Sequence, residues 1–175
     1  MTQNQFSFEL PSNSGWCKTT WKFYDVIQFE NRRLFATEVI FNSSFWNYAA
    51  SISGKFKDAK LVEDCFLKLP QLSLVEWELE RLYSHLAKWL QTPLSLLEET
   101  PLEYIADLTA STDYQFFEMK FGITGNNIVP RGQTECTISY KASGISGEIS
   151  YIVDQSCIRI FAEGLEKLLS NQRQA

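Results

Sequence analysis

The chain reads as an α+β protein: an antiparallel β-sheet of about six to seven strands covered by two amphipathic helices, in the order β-meander, helix, β-meander, helix. Three observations predict this. Residues 19–41 alternate apolar and polar with period two, as half-buried strands do. Residues 71–91 switch to intervals of three and four. The chain then repeats that change of period, from strand-like runs over 103–153 to a second helical stripe ending near Leu169.

At 175 residues the chain is long enough to bury a core without disulfides or metal. Residues 1–15 are polar with Pro11 and Gly15 and read as a loosely held N-terminal arm, residues 16–170 as one domain, and 171–175 as a polar tail. "TTWKFYDVIQFEN" alternates Trp21, Phe23, Ile27 and Phe29 against Lys22, Tyr24, Val26 and Gln28. "LFATEVIFN" sets Leu34, Ala36 and Glu38 against Phe35, Thr37, Val39 and Phe41. A third strand is predicted in "WNYAASISGKFKDAKL", with Gly54 inside it as a bulge or close approach.

The first helix is predicted over 71–91, its stripe formed by Leu72, Val75, Leu79, Leu82, Leu86 and Trp89. Ser73 and Glu76 have the spacing of a capping box, and Pro93 closes the helix. "EYIADL", "YQFFEMKFG", "TECTISYKASG" and "GEISYIVD" read as strands, with Gly144 and Gly147 turning a hairpin between the last two. Asp154 is the expected cap of a final helix with Ile158, Phe161, Leu165, Leu168 and Leu169 on one face.

Composition narrows the functions. The net charge is −5, which disfavours direct nucleic-acid binding and an anionic membrane surface. Residues 61–118 hold 11 Asp or Glu and 3 Lys or Arg, so the middle of the chain is an acidic block. The N-terminus has neither the basic stretch nor the apolar run of a signal peptide, and the expected location is cytoplasmic. The four cysteines are scattered, with no C-x-x-C pair, and read as free thiols.

No residue pattern announces a reaction. His85 is the only histidine, on the flank of the first helix, so no His-pair metal site can form. "GITGNNIVPRG" falls between strands and lacks the Lys and following helix of a phosphate loop. Adjacent carboxylates such as Glu98 and Glu99 point apart on a regular element and read as a solvated face. The expected sets of catalytic, cofactor and metal residues are therefore empty.

One residue breaks the pattern. Trp77 lies across the helical wheel from the apolar stripe, with Arg81 one turn on. It either packs under the proline-rich stretch that follows the helix or awaits a partner. Tryptophan supplies much of the binding energy at protein interfaces, and Arg81 is placed to stack on it. Charge density and this tryptophan together nominate Glu76, Trp77, Glu80, Arg81, Glu98, Glu99, Glu103 and Asp107 as a partner-binding surface.

Two stretches carry a family resemblance. "ISYIVDQSCIRIFAEGLEKLL" joins a strand to a hydrophobic closing helix through Asp154-Gln155-Ser156, and "SISGKF" precedes the Leu- and Glu-rich "VEWELERLYSHLAKWL". They resemble the WapI-type immunity proteins of bacterial polymorphic and contact-dependent toxin systems over roughly 46–90 and 145–170. The general order matches over 19–170, with a longer N-terminal arm and an added segment at 92–112. The resemblance implies an inhibitor that binds one cognate toxin domain. Where that toxin is a nuclease, its basic surface would be met by the acidic block.

The residues leave other readings open. The aromatic content, 13 Phe, 7 Tyr and 5 Trp, suits a carrier that encloses a small apolar ligand between sheet and helices. An enzyme using carboxylates alone, or a homodimer formed through an exposed strand edge, would also fit.

Overall fold

The computed structural model describes residues 6–15, 17–43, 65–93, 106–111, 115–122, 132–142 and 144–171. These form two four-stranded antiparallel sheets and two helices. The first sheet is the meander β1 (Phe6–Pro11), β2 (Cys17–Phe29), β3 (Arg32–Ser43) and β4 (Cys65–Val75), followed by helix α1 (Glu76–Gln91). The second is β5 (Ala106–Ser111), β6 (Gln115–Phe121), β7 (Gln133–Ala142) and β8 (Ile145–Asp154), followed by helix α2 (Gln155–Asn171). The α+β class and the twice-repeated order of strands then helix are as the sequence predicts. The single sheet is not: there are two, and the described strands number eight.

The alternation decides which residues turn inward. On β3, Phe35, Thr37 and Val39 are buried; on β2, Thr19, Trp21 and Phe23 are. Phe117, Met119 and Phe121 of β6 and Tyr151 and Val153 of β8 do the same in the second sheet. The inward faces meet. The rings of Trp21 and Phe117 lie edge to face with centroids 5.8 Å apart, and Phe41 approaches Tyr151 at 6.1 Å.

Phe161 of α2 sits among these rings. Its centroid lies 5.3 Å from Phe8, 5.4 Å from Trp21 and 6.2 Å from Phe121, so one side chain touches both sheets. The predicted stripe of α2 is buried throughout, as are Leu79, Leu82 and Leu86 of α1. Packing crosses between the halves: α2 lies chiefly on β1, α1 chiefly on β5, and the helices lie on each other. Each half covers the other's first strand, which binds the two into one core.

A buried polar chain also joins the sheets. Trp21 Nε1 donates to Thr19 Oγ1 at 3.1 Å, and Thr19 shares a 3.0 Å hydrogen bond with Tyr151 Oη. The phenol donates in turn to the Leu10 carbonyl at 3.4 Å. Burial pushes the Tyr151 phenol well above its ordinary range, so it stays a neutral donor. The first sheet's β1–β2 turn reaches the second sheet directly, Asn13 N–H donating to the Ile152 carbonyl at 3.0 Å.

Several expectations are corrected. The N-terminal arm is not loose, because residues 6–11 pair with β2 from Phe6↔Phe23 to Pro11↔Lys18 and bury Phe8 and Leu10. Ser73 does not cap α1. It pairs with Ala36 inside β4, the cap position is Val75 in extended geometry, and no side chain caps the helix. Leu72 and Leu74 are inward strand residues, and the intervals from Leu72 to Val75 and Leu79 only mimic a helical stripe. The third strand predicted in 46–61 lies outside the described residues; the described strand that follows β3 is β4, which pairs with it. Ile27 was placed with Trp21 and Phe23, but a bulge between Phe23 and Asp25 reverses the alternation and leaves it 52% exposed. In the β7–β8 hairpin Gly144 has φ +86°, as the turn requires, whereas Gly147 lies within β8.

Asp154 caps α2 as expected. Its Oδ1 accepts the Cys157 N–H at 3.0 Å and the Ser156 hydroxyl at 2.5 Å. The Ser156 bond, with the Cys157 N–H, holds this carboxyl below its ordinary value of 3.8. A carboxylate held low stabilises the fold above its unfolded value and loses that contribution as pH falls through the folded one. The stability gap between the wild type and Asp154→Asn should therefore close on acidification below about pH 4. Melting temperatures followed against pH check this; parallel curves would contradict it.

Gly164 of α2 permits the contact with β1. A Cβ there would stand 2.4 Å from Phe8 Cγ and 2.6 Å from Phe8 Cβ, the fixed root of a buried ring. Gly164→Ala should destabilise by about 1–3 kcal/mol, against a helix-propensity gain of no more than ~1 kcal/mol. Denaturant midpoints measure it, and an unchanged midpoint would contradict the close approach.

Candidate partner-binding surface

The nominated residues begin where β4 becomes α1. Glu76 and Glu78 fall in the first turn, where carboxylates suit the helix dipole, and Lys88 falls in the last. At the other end Thr92 N–H donates to the Trp89 carbonyl and Thr92 Oγ1 to the Lys88 carbonyl, both at 3.1 Å. Burial of Leu79, Leu82 and Leu86 sets the helix's rotation and turns Trp77 outward, where it is 52% exposed.

The charged residues around Trp77 are tied down. Glu76 holds Arg33 of β3 through both carboxylate oxygens, Arg33 Nε donating to Oε2 at 2.7 Å and Nη2 to Oε1. Arg81 reaches two carboxylates, Glu78 Oε2 and Asp107 Oδ1 of β5, each at 2.7 Å, and its Nη2 donates to the Asp107 carbonyl at 3.3 Å. These bonds raise both guanidinium groups above their ordinary range: Glu76 acts on Arg33, while Asp107 and then Glu78 act on Arg81. The Glu80 carboxylate adds its field at Arg33.

Of the eight nominated residues, the structure brings Arg81 and Asp107 into contact and places Glu76, Trp77 and Glu80 on the same helix. Glu98, Glu99 and Glu103 lie outside the described residues. The reading of Arg81 as a stacking partner for Trp77 gives way to a different role: its guanidinium is engaged by Glu78 and Asp107 and joins the two halves. Sequence reasoning missed Arg33, which strand alternation places on the same side as the buried Phe35 and Thr37, at the turn end of β3, without naming its partner.

The remaining chemistry is sparse. Among the described residues no group of three His, Cys, Asp or Glu side chains could hold a metal ion. Cys17, Cys136 and Cys157 are free thiols, each raised above its ordinary range chiefly by burial. His85 is half-buried on α1, and its Nδ1 has no hydrogen-bond partner among the described residues. Tyr83 of α1 is raised by burial and by the Glu166 carboxylate of α2. Among the described residues no helix is long and apolar enough to cross a membrane. Where a ligand carrier would need room, the rings of both sheets and of α2 meet one another. No family model, curated protein or solved structure matches the chain.

The fixed pairs make Glu76 part of the fold as well as of the surface. Glu76→Lys would set an ammonium against Arg33 and should cost about 1–2 kcal/mol. Arg33→Glu in the same chain should restore most of it. A double-mutant cycle in denaturant reads the coupling, and strictly additive losses would count against the pair.

Proposed function

We propose that the protein acts by binding another protein, in the cytoplasmic immunity role that its resemblance to the WapI-type family implies. It would hold a cognate toxin domain through the surface around Trp77. The observation that carries this reading is the half-exposed indole of Trp77, mounted on a helix between two fixed ion-pair systems. An exposed tryptophan costs solvation free energy that a soluble monomer recovers nowhere, whereas an interface recovers it by burying the ring. Its surroundings are pre-organised, so little side-chain entropy is lost on binding.

Charge supports the same partner. Glu76, Glu78, Glu80 and Asp107 stand around two guanidinium groups, Arg33 and Arg81, so the surface is acidic although most of its charges are paired. A basic toxin surface would be steered towards it, with the pairing reducing the salt dependence below that of a bare acidic cluster. The carrier reading has no comparable observation in its favour.

The test starts from a tagged full-length chain and an extract of its source cells at low salt. The expected result is one stoichiometric partner with a basic domain, toxic when expressed alone and harmless when co-expressed with this protein. Trp77→Ala should weaken the purified pair about 30-fold or more and remove the protection. Equal binding by the variant would place the interface elsewhere, and a partner without toxicity would end the immunity reading.

A further inference from the structure

The outer face of the first sheet carries a row of aliphatic residues near the β2–β3 turn. Register sets Ile27 of β2 opposite Leu34 of β3, and Leu34 opposite Val75 of β4. The row faces away from the core, because the next paired residues, Phe35 and Leu74, are buried. Ile27 is 52% exposed, and Leu34 and Val75 are half-buried. Neither helix covers this face, since both pack through their buried stripes on the inward side.

Charges of opposite sign lie on either side of the row. One step towards the turn is the exposed Arg32, and one step away is the exposed Asp25, paired with Ala36. The strand repeat puts each about 7 Å from the row.

We propose that this face is a homodimer interface, in which a second copy of the chain lays the same aliphatic row against it. The argument is charge complementarity under twofold symmetry. A twofold axis lying in the plane of contact, along the row, sets Ile27, Leu34 and Val75 each against its own counterpart and reverses the strand direction. Arg32 then lies over the row holding the partner's Asp25, and Asp25 beneath the partner's Arg32. The patch is self-complementary, as an isologous interface must be. A patch carrying one sign of charge at both ends would be repelled at both. This is face-to-face packing of sheets, distinct from pairing at a strand edge, and it rests on different residues from the Trp77 surface.

Sedimentation of the full-length chain over a wide concentration range tests it. The wild type should show a reversible monomer–dimer equilibrium. Ile27→Lys should leave only monomer, with an unchanged circular dichroism spectrum. Arg32→Asp should raise the dimer's dissociation constant about tenfold, and Asp25→Arg added to it should bring the constant back. A wild type that stays monomeric throughout overturns the proposal. So does a dimer indifferent to Ile27→Lys, or a double variant no tighter than Arg32→Asp alone.

Discussion

The fold depends on one ring. Phe161 touches Phe8 and Trp21 of the first sheet and Phe121 of the second, so the packing of each sheet is conditional on the helix that follows the other. The edge-to-face contacts with Phe8 and Trp21 are directional as well as hydrophobic. They fix the spacing between the sheets and the rotation of α2, and Gly164 lets the helix approach β1 closely enough to make them. Because α2 covers β1 and α1 covers β5, neither half has a complete core alone. The connection is reinforced within the core by the Trp21–Thr19–Tyr151–Leu10 hydrogen bonds. A network like that favours the native pairing of the two sheets, since each buried polar group in it needs the others.

How much of this is legible in the sequence depends on how regular each segment is. The second half reads well. Asp154 is a capping side chain at the point where period two becomes period 3.6, and each residue of the predicted α2 stripe is buried. The first half reads less well, for identifiable reasons. Leu72 and Leu74 alternate as a strand, but Leu72 with Val75 and Leu79 also satisfies helical spacing, so pattern alone cannot place the strand's end. The register with β3 settles it, and that is a long-range fact. Phe6–Pro11 contains a proline at its end and polar neighbours, yet Phe8 and Leu10 bury against α2 and β2. Tertiary burial there overrides a weak local signal. That the strands form two sheets follows from where β4 stops pairing, which no local pattern states.

The surface was legible in part, and the part missed is electrostatic. Counting charges marks residues 61–118 as acidic; it does not reveal that Arg33, more than 40 positions from Glu76, claims that carboxylate. Nor does it show that Arg81 is shared between its own helix and the second half. Pairing changes what such residues can do. A bare carboxylate contributes chiefly to long-range attraction, while one held by guanidinium contributes to geometry and to the rigidity of its neighbours. The acidic block is thereby turned from a diffuse field into a frame around Trp77.

Ile27 and Trp77 share an origin that the regular parts of the chain explain. Each follows a place where the backbone departs from its pattern: Ile27 after the bulge between Phe23 and Asp25, Trp77 directly after the switch from β4 to α1. Without the bulge, Ile27 would turn inward with Trp21 and Phe23. Had α1 begun at Ser73, the strand register that presents Val75 beside Leu34 would be lost. The other exposed large apolar side chains among the described residues have different settings: Phe116 pairs with Lys141, and Ile160 stands beside the exposed Arg159. Isolated apolar groups of that sort are ordinary on protein surfaces. A bulge or an uncapped helix start is a local cost, and local costs are retained where they serve a surface rather than a core. That reasoning ties these two irregularities of the first half, the β2 bulge and the uncapped helix start, to the two surfaces through which the protein would meet its partners.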